Sequence, residues 1–214
     1  VPAATYGGPN VPLDEPSDES IKLAESLVLL EFVAELYPDS NLSPKDAVDR
    51  AHARFFISAT NELTTSLYGF VLRGAAPDAL VKDFKMLQRL LPPSGGFAVG
   101  DFSFADAAVA PFLVRAELYL RNDIGKFNEG EGIRLYKQVF ESAQFAWLQQ
   151  YWKDIVARPS IKATFNEVSS LQFLRDMRVV WNMPGHTSPG PRKSNEVRSM
   201  PNSVNGAEVE EGHL

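Results

Sequence analysis

The strongest constraint on the fold is the stretch from Gly100 to Arg121, in which a loop turns into a helix that is apolar on nearly every side. Ser103 and Asp106 have the spacing of a capping box, in which the hydroxyl accepts from an amide of the first turn and the carboxylate accepts from the Ser103 amide. A helix that is apolar all round belongs inside a domain. We therefore predict that the other elements pack around this helix.

Composition and charge favour a folded domain and argue against several kinds of partner. With 214 residues, 44% of them hydrophobic, the chain can bury a sizeable core. The formal net charge of -6 argues against nucleic acid or an anionic membrane as a partner, because both need a concentrated basic face. The richest apolar run, Leu27 to Tyr37, contains two glutamates and is too short to cross a bilayer. We expect a cytoplasmic protein.

Apolar periodicity and turn residues predict two short strands followed only by helices. The strands are predicted at residues 3–6 and 20–23, and the first helix runs from Ser26 to Tyr37. Ser43-Pro44-Lys45-Asp46 combines a cap, a proline at the first helical position and an acidic residue, and predicts a helix to about Arg73 that Gly74 ends. Later helices are predicted over residues 77–91, 103–123, 139–156, 159–168 and 169–180.

The sequence contains no recognisable metal or nucleotide motif. His52, His186 and His213 do not have the spacing of metal ligands. The chain has no cysteine, so it offers neither a thiolate metal site nor a cysteine nucleophile. Gly130 to Gly132 (GEG) lacks the third glycine and the preceding strand of a dinucleotide loop. We expect no bound metal.

The order of several motifs is more informative than any one of them. The chain has an X-Pro pair at Val1-Pro2, a strand, Glu25-Ser26 opening a helix, a linker, and then a helical region that contains GDFSFAD and ARPSIKATF. This order resembles a glutathione transferase. The segment LAESLVLLEFVAELYPDSNLSPKD is most similar to omega-class and fungal omega-like members of that family.

The resemblance implies a mainly α fold with a partial thioredoxin-like α/β domain in front of an all-helical C-terminal domain. Residues 1–38 would form the partial glutathione-binding domain, 39–45 the linker, 46–183 the helical domain and 184–214 a flexible tail, whose composition is polar and rich in Pro and Gly. The family's thiol-activating residue, typically cysteine in omega-like members, would lie before Val1. No catalytic residue is therefore assigned, and we interpret the chain as a fragment or altered form.

The resemblance also implies that glutathione is the co-substrate and binds at Val1, Pro2, Glu25 and Ser26. Val1-Pro2 matches the family's cis-proline site, whose backbone pairs with the cysteinyl part of glutathione. Ser26 would bind the γ-glutamyl carboxylate through its hydroxyl and amide at a helix N-terminus, and Glu25 would help to hold the γ-glutamyl amino group. The structural alternatives are an ordinary X-Pro turn and a plain helix cap.

A second, apolar or electrophilic substrate would bind in a cleft between the two domains. The candidates for this cleft are Arg54, Phe55, Tyr119 and Trp181. Aromatic residues at helical spacing are more often core than ligand contacts. Arg54 has a second interpretation, in which it pairs with Asp46 or Glu62 on a solvated face. Ser103 and Asp106 are assigned a structural role only.

Two functions follow from the resemblance. The first is a transferase that conjugates glutathione to electrophiles in detoxification, or that carries out omega-like, glutathione-dependent thiol transfer. The second is a non-catalytic module for ligand binding or assembly. The family also implies a homodimer formed through the helix from Ser26 and the two helices after the linker.

Overall fold

The computed structural model describes residues 2–12, 15, 17–172 and 176. A short hairpin of two antiparallel strands, β1 (Ala3–Tyr6) and β2 (Ile21–Ala24), leads into helix α1 (Ser26–Leu36). It is followed by α2 (Ala47–Arg73), α3 (Asp78–Leu90), α4 (Phe104–Arg121), α5 (Glu131–Tyr136), α6 (Ala146–Ala157) and α7 (Pro159–Thr164), and a further helical segment begins at residue 167. The predicted tail lies outside the described residues.

Helix α4 is the centre of the core, as its all-round apolar sequence predicts. Twelve of its 18 residues are buried, and it packs against α2, α5, α6 and α1. Helix α3 packs against α2, and a turn that Gly74 begins joins these two helices. Gly74 has φ 66°, and a Cβ there would lie 2.8 Å from the Lys126 carbonyl oxygen, so only glycine fits this turn.

Asp106 connects the start of α4 to two other parts of the helical region. Its carboxylate accepts from the Ser103 amide at 2.9 Å, the Ala98 amide at 2.8 Å and the Tyr151 hydroxyl at 2.9 Å. The Ala105 amide in turn donates to the Ser103 hydroxyl at 3.2 Å, which completes the predicted capping box. Burial raises the pKa of Asp106, an effect that these hydrogen bonds oppose. The box therefore fixes α6 and the 97–100 loop as well as α4.

Helix α2 begins three residues later than the Ser43-Pro44 signal predicts. The cap is Asp46, whose carboxylate accepts from the Val48 amide at 2.7 Å and the Asp49 amide at 3.3 Å. Arg50 reaches back and donates to the carbonyls of Pro44 and Lys45, which holds those two residues outside the helix. Asp46 is predicted as the acidic residue of the first helical turn, but in the structure it is the N-cap of α2.

Replacing Asp46 with asparagine is expected to change the pH dependence of stability rather than the fold, because both residues cap helices well. The amides of Val48 and Asp49 hold the pKa of Asp46 below its ordinary value of 3.8. The resulting stabilisation is present above that value and is lost as the pH falls through the folded-state pKa. As the pH falls into the acid range, the urea midpoint of the wild type should therefore decrease relative to the urea midpoint of Asp46→Asn. A difference in urea midpoint that does not change with pH would contradict the capping role of the Asp46 carboxylate.

The last part of the chain differs most from the prediction. The predicted helix over residues 139–156 is divided into a π-helical turn at Lys137–Glu141, a 3₁₀ turn at Ala143–Phe145 and α6. Ser142 lies between the turns in an extended conformation, and Gln149 donates to its carbonyl at 2.7 Å. Helix α7 ends at Thr164, and the next helical segment starts at residue 167 after Asn166, which accepts from the Ser169 amide at 2.9 Å. Residues 173–175 and 177–180 of the predicted last helix lie outside the described part.

Helix α1 lies against one side of the helical region, and the hairpin packs against α1. Helix α1 contacts α4, and Ala34 is its one buried residue. Leu27, Val28 and Val33 are exposed by 41%, 52% and 45%. Helix α1 is thus attached to the helical region through a narrow strip of its surface.

Candidate functional site

The turn between β2 and α1 has an unusual backbone. Glu25, the only residue between strand and helix, has φ 76° and ψ 121°. This conformation is rare for any residue other than glycine, and such strain is typical of functional sites. The turn leaves Ser26 exposed at the first position of α1.

The N-terminus of α1 is left open by its own cap. The Glu25 carbonyl accepts from the Leu29 amide at 2.9 Å, but within the described residues its side chain makes no capping hydrogen bond. The first amides of a helix have no acceptor inside the helix, and together with the helix dipole they attract a carboxylate. The helix start at Glu25 and Ser26 therefore leaves room for the predicted anion site, which stays a prediction.

The hairpin brings the start of the chain to the same place. Ala3 of β1 pairs with Ala24 of β2, so Pro2 comes just before the paired segment on one strand and Glu25 just after it on the other. Pro2, Glu25 and Ser26 therefore lie at the same end of the hairpin although more than twenty residues separate Pro2 from the other two. Val1 lies outside the described residues, so its peptide bond with Pro2 stays a prediction.

A cleft of about 440 Å³ begins at Ser26 and runs between α1, α2 and α4. Most of its wall is apolar, and Thr60 is tied up by donating its hydroxyl proton to the Phe56 carbonyl at 2.7 Å. Apolar walls with a few polar groups are typical of sites for small organic ligands. The lining residues are Ser26, Leu27, Leu30, Ile57, Thr60, Asn61, Leu63, Thr64, Thr65, Ala107, Ala108, Val109, Pro111 and Phe112.

None of the residues predicted for the second substrate lines this cleft within the described part of the chain. Arg54 pairs with Glu31 of α1 at 2.6 Å, and not with Asp46 or Glu62. Phe55 is 62% exposed and lies in a separate depression beside His52. Tyr119 is only 3% exposed, so its side chain belongs to the core. Trp181 lies outside the described residues.

Sequence reasoning missed the residues of α2 that do line the cleft. Ile57, Asn61 and Thr64 are spaced as neighbours on one face of a helix. The available signal was the mixture of small polar and apolar residues on that face, since a face packed wholly in the core would be uniformly apolar. On α4 the corresponding signal was Pro111 next to Phe112.

The described residues contain neither a cluster of metal ligands nor a helix suited to span a membrane. Among the described residues, no three His, Cys, Asp or Glu side chains come close enough together to hold a metal ion. Over the same part of the chain, every helix is too short or too polar to cross a bilayer.

Comparison with known proteins gives a consistent result. No family model matches the chain. A crystal structure of glutathione transferase Omega 1C from Trametes versicolor is 47% identical and superposes with a TM-score of 0.76, over 83% of this chain and 76% of that one. The chain belongs to the glutathione transferase family. Its other structural neighbours include glutathione transferase Omega 2S from the same fungus, at 44% identity and a TM-score of 0.75, over 82% of this chain and 76% of that one.

The family assignment confirms the predicted fold class. The described part of the chain is mostly helical with a small two-stranded sheet, which matches a glutathione transferase fold with a partial thioredoxin-like domain. Among sequence relatives, a protein described as "Probable maleylacetoacetate isomerase" from Caenorhabditis elegans is 30% identical over 113 residues, which is 53% of this chain and 45% of that protein. The chain spans about half the length of the curated relatives it matches.

Proposed function

We propose that this glutathione transferase chain binds glutathione at the N-terminus of α1 and delivers it to the cleft between α1, α2 and α4. The observation that carries the proposal is the open helix start at Glu25 and Ser26, at the mouth of that cleft. The γ-glutamyl carboxylate accepts from the amide and hydroxyl of Ser26, in the favourable field of the helix dipole. The Glu25 carboxylate receives the γ-glutamyl ammonium group.

The proposal gives the hairpin a role in orienting the cysteinyl part of glutathione. Within the described residues β1 pairs only with β2, and Pro2 directly precedes β1 at the end of the hairpin where Glu25 follows β2. An extended peptide can add to the edge of a strand through backbone hydrogen bonds. Val1 and Pro2 would supply these bonds next to the cleft.

The proposed reaction is attack by the glutathione thiolate on an electrophile or a mixed disulfide in the cleft. In conjugation a carbon–sulfur bond forms and the leaving group departs; in thiol transfer a new disulfide forms and the displaced thiolate leaves. No residue of this chain is assigned to activating the thiol. The apolar walls favour an aromatic second substrate. In support, the Omega 2S enzyme of Trametes versicolor has been crystallised with 2,4-dihydroxybenzophenone.

Ser26→Ala is expected to weaken glutathione binding about tenfold, because one charge-assisted hydrogen bond to the carboxylate is lost. Isothermal titration calorimetry of the full chain with reduced glutathione measures this change. Ser58→Ala is the matched control, since Ser58 is exposed on α2 and does not line the cleft, and it should bind like the wild type. Equal affinity of Ser26→Ala and wild type would refute the proposed carboxylate site.

Turnover separates the two functional hypotheses. The chain is assayed with glutathione and either a chloro-dinitroaryl electrophile or a glutathionyl mixed disulfide. Turnover that Ser26→Ala reduces supports the transferase. Binding that depends on Ser26 without any turnover instead supports the ligand-binding module. A homodimer through α1, α2 and α3 and a cytoplasmic location stay parts of the proposal, and the exposed apolar residues Val28 and Val33 on α1 favour the former.

A further inference from the structure

An ion pair joins the helix that begins at Ser26 to the helical domain. Arg54 of α2 donates to Glu31 of α1 through two nitrogens, with Nη2 at 2.6 Å and Nε at 3.1 Å from the same carboxylate oxygen and Nε at 3.4 Å from the other. The Arg54 guanidinium carbon also lies 6.0 Å from the centre of the Phe104 ring, at the start of α4. One side chain therefore contacts all three helices that form the cleft.

The position of this pair relates it to the cleft. Glu31 is one turn after Leu27 on α1, and Arg54 is one turn before Ile57 on α2; both of these apolar residues line the cleft. The pair links α1 to α2 within one turn of residues that line the cleft on both helices. A change in the separation of α1 and α2 would move Ser26 relative to the rest of the wall.

Because few residues of α1 are buried, the ion pair is expected to influence the orientation of α1 more than a single surface salt bridge normally would. Ala34 is the one buried residue of α1, and Leu30 is half-buried. An exposed ion pair usually contributes little to global stability, but a fork-shaped arginine contact fixes direction as well as distance. Glu31 and Glu35 both raise the pKa of Arg54, Glu31 through its hydrogen bond and charge and Glu35 through its charge.

We propose that Arg54 and Glu31 form a positioning clasp that sets the orientation of α1, and with it the glutathione-binding N-terminus, against the α2–α4 wall. The clasp acts through α1 and does not touch glutathione. Its effect on glutathione affinity rests on the proposed function, whereas its effect on the separation of the helices does not. Because the clasp is ionic and exposed, salt is expected to loosen it.

The absence of cysteine from the chain allows a direct test of the helix separation. Spin labels on Leu36→Cys and Glu62→Cys, two exposed positions on α1 and α2, report the distance between the helices in the full chain. Arg54→Ala should broaden the distance distribution, and the charge swap Glu31→Arg with Arg54→Glu should narrow it again. Arg134→Ala, which removes an exposed pair with Glu131 inside α5, should leave it unchanged.

Titration with reduced glutathione supplies the functional readout. In Arg54→Ala the dissociation constant should rise about three- to tenfold at low salt, and the charge swap should restore it. Addition of about 0.5 M salt should weaken binding in the wild type more than in Arg54→Ala. An unchanged distance distribution in Arg54→Ala, or a charge swap that restores nothing, would overturn the clasp. If the chain binds no glutathione but the distances respond, the proposed function fails and the clasp stands.

Discussion

Asp106→Ala is expected to lower the free energy of unfolding by about 3–5 kcal/mol, the largest effect of any polar substitution considered for this chain. Asp106 is fully buried, and its carboxylate accepts from the Ala98 and Ser103 amides and from the Tyr151 hydroxyl. The Ser103 hydroxyl also donates to this carboxylate at 3.2 Å, so alanine leaves four donors without their acceptor, at about 1–3 kcal/mol each, partly offset by water and local relaxation.

Equilibrium denaturation in urea, followed by circular dichroism, measures this loss. Asp101→Ala is the matched control because Asp101 is an exposed aspartate in the same loop, and it should change stability by less than about 0.5 kcal/mol. Tyr151→Phe removes only the hydroxyl donor and should cost about 1 kcal/mol. The combined Asp106→Ala and Tyr151→Phe substitutions should cost less than the sum of the two, since they break the same bond. A loss below about 1 kcal/mol in Asp106→Ala would contradict the connecting role.

The capping box shows how far local sequence determines this fold. Ser103 and Asp106 are three residues apart, so their mutual hydrogen bonds depend only on the local chain and could be predicted. The bond from Tyr151 spans 45 positions, and it depends on how α6 packs against α4. No periodicity or propensity contains that information. The same limit applies to Asp123, which accepts from the Gly130 and Gly132 amides and closes the loop before α5.

Element boundaries failed where two local signals compete. Ser43-Pro44 and Asp46 are both acceptable helix starts. The helix begins after Asp46 because Arg50 binds the two carbonyls that precede Asp46 and holds them outside the helix. The division of the predicted 139–156 helix has a similar cause, since Gln149 bonds to the carbonyls of Val139 and Ser142 and interrupts the helical pattern. Side-chain bonds to backbone carbonyls are invisible in apolar periodicity.

The candidate site was partly predictable for the same reasons. Ser26 is recognisable from the sequence as a helix start, and Glu25 is its direct neighbour in the chain, so the two residues could be named together as a candidate site. The strain at Glu25 was not predictable, because glutamate is an unusual choice for a residue with positive φ. The cleft wall was not predictable either, since it depends on which faces of α2 and α4 remain uncovered by other elements.

Glu25→Gly is expected to stabilise the fold and to weaken glutathione binding at the same time. Glycine adopts φ 76° without steric cost, and relief of the strain should exceed the extra entropy of glycine in the unfolded chain by about 1 kcal/mol. Binding of reduced glutathione should become about tenfold weaker, because this variant removes the carboxylate that we propose accepts from the γ-glutamyl ammonium group. A gain in stability with a loss of binding is the signature of a residue retained for function.

Two further variants separate the backbone effect from the side-chain effect. Glu25→Gln keeps the strained backbone and loses the charge, so its binding should weaken as in Glu25→Gly while its stability stays near that of the wild type. Asn41→Gly changes another residue of positive φ, at 53°, away from the cleft, and should leave binding unchanged. Its gain in stability should be smaller, because asparagine tolerates the left-handed conformation and glutamate does not. If Glu25→Gly binds glutathione as tightly as the wild type, the conformation of Glu25 serves the turn between β2 and α1, and the proposed contact with the ammonium group is wrong.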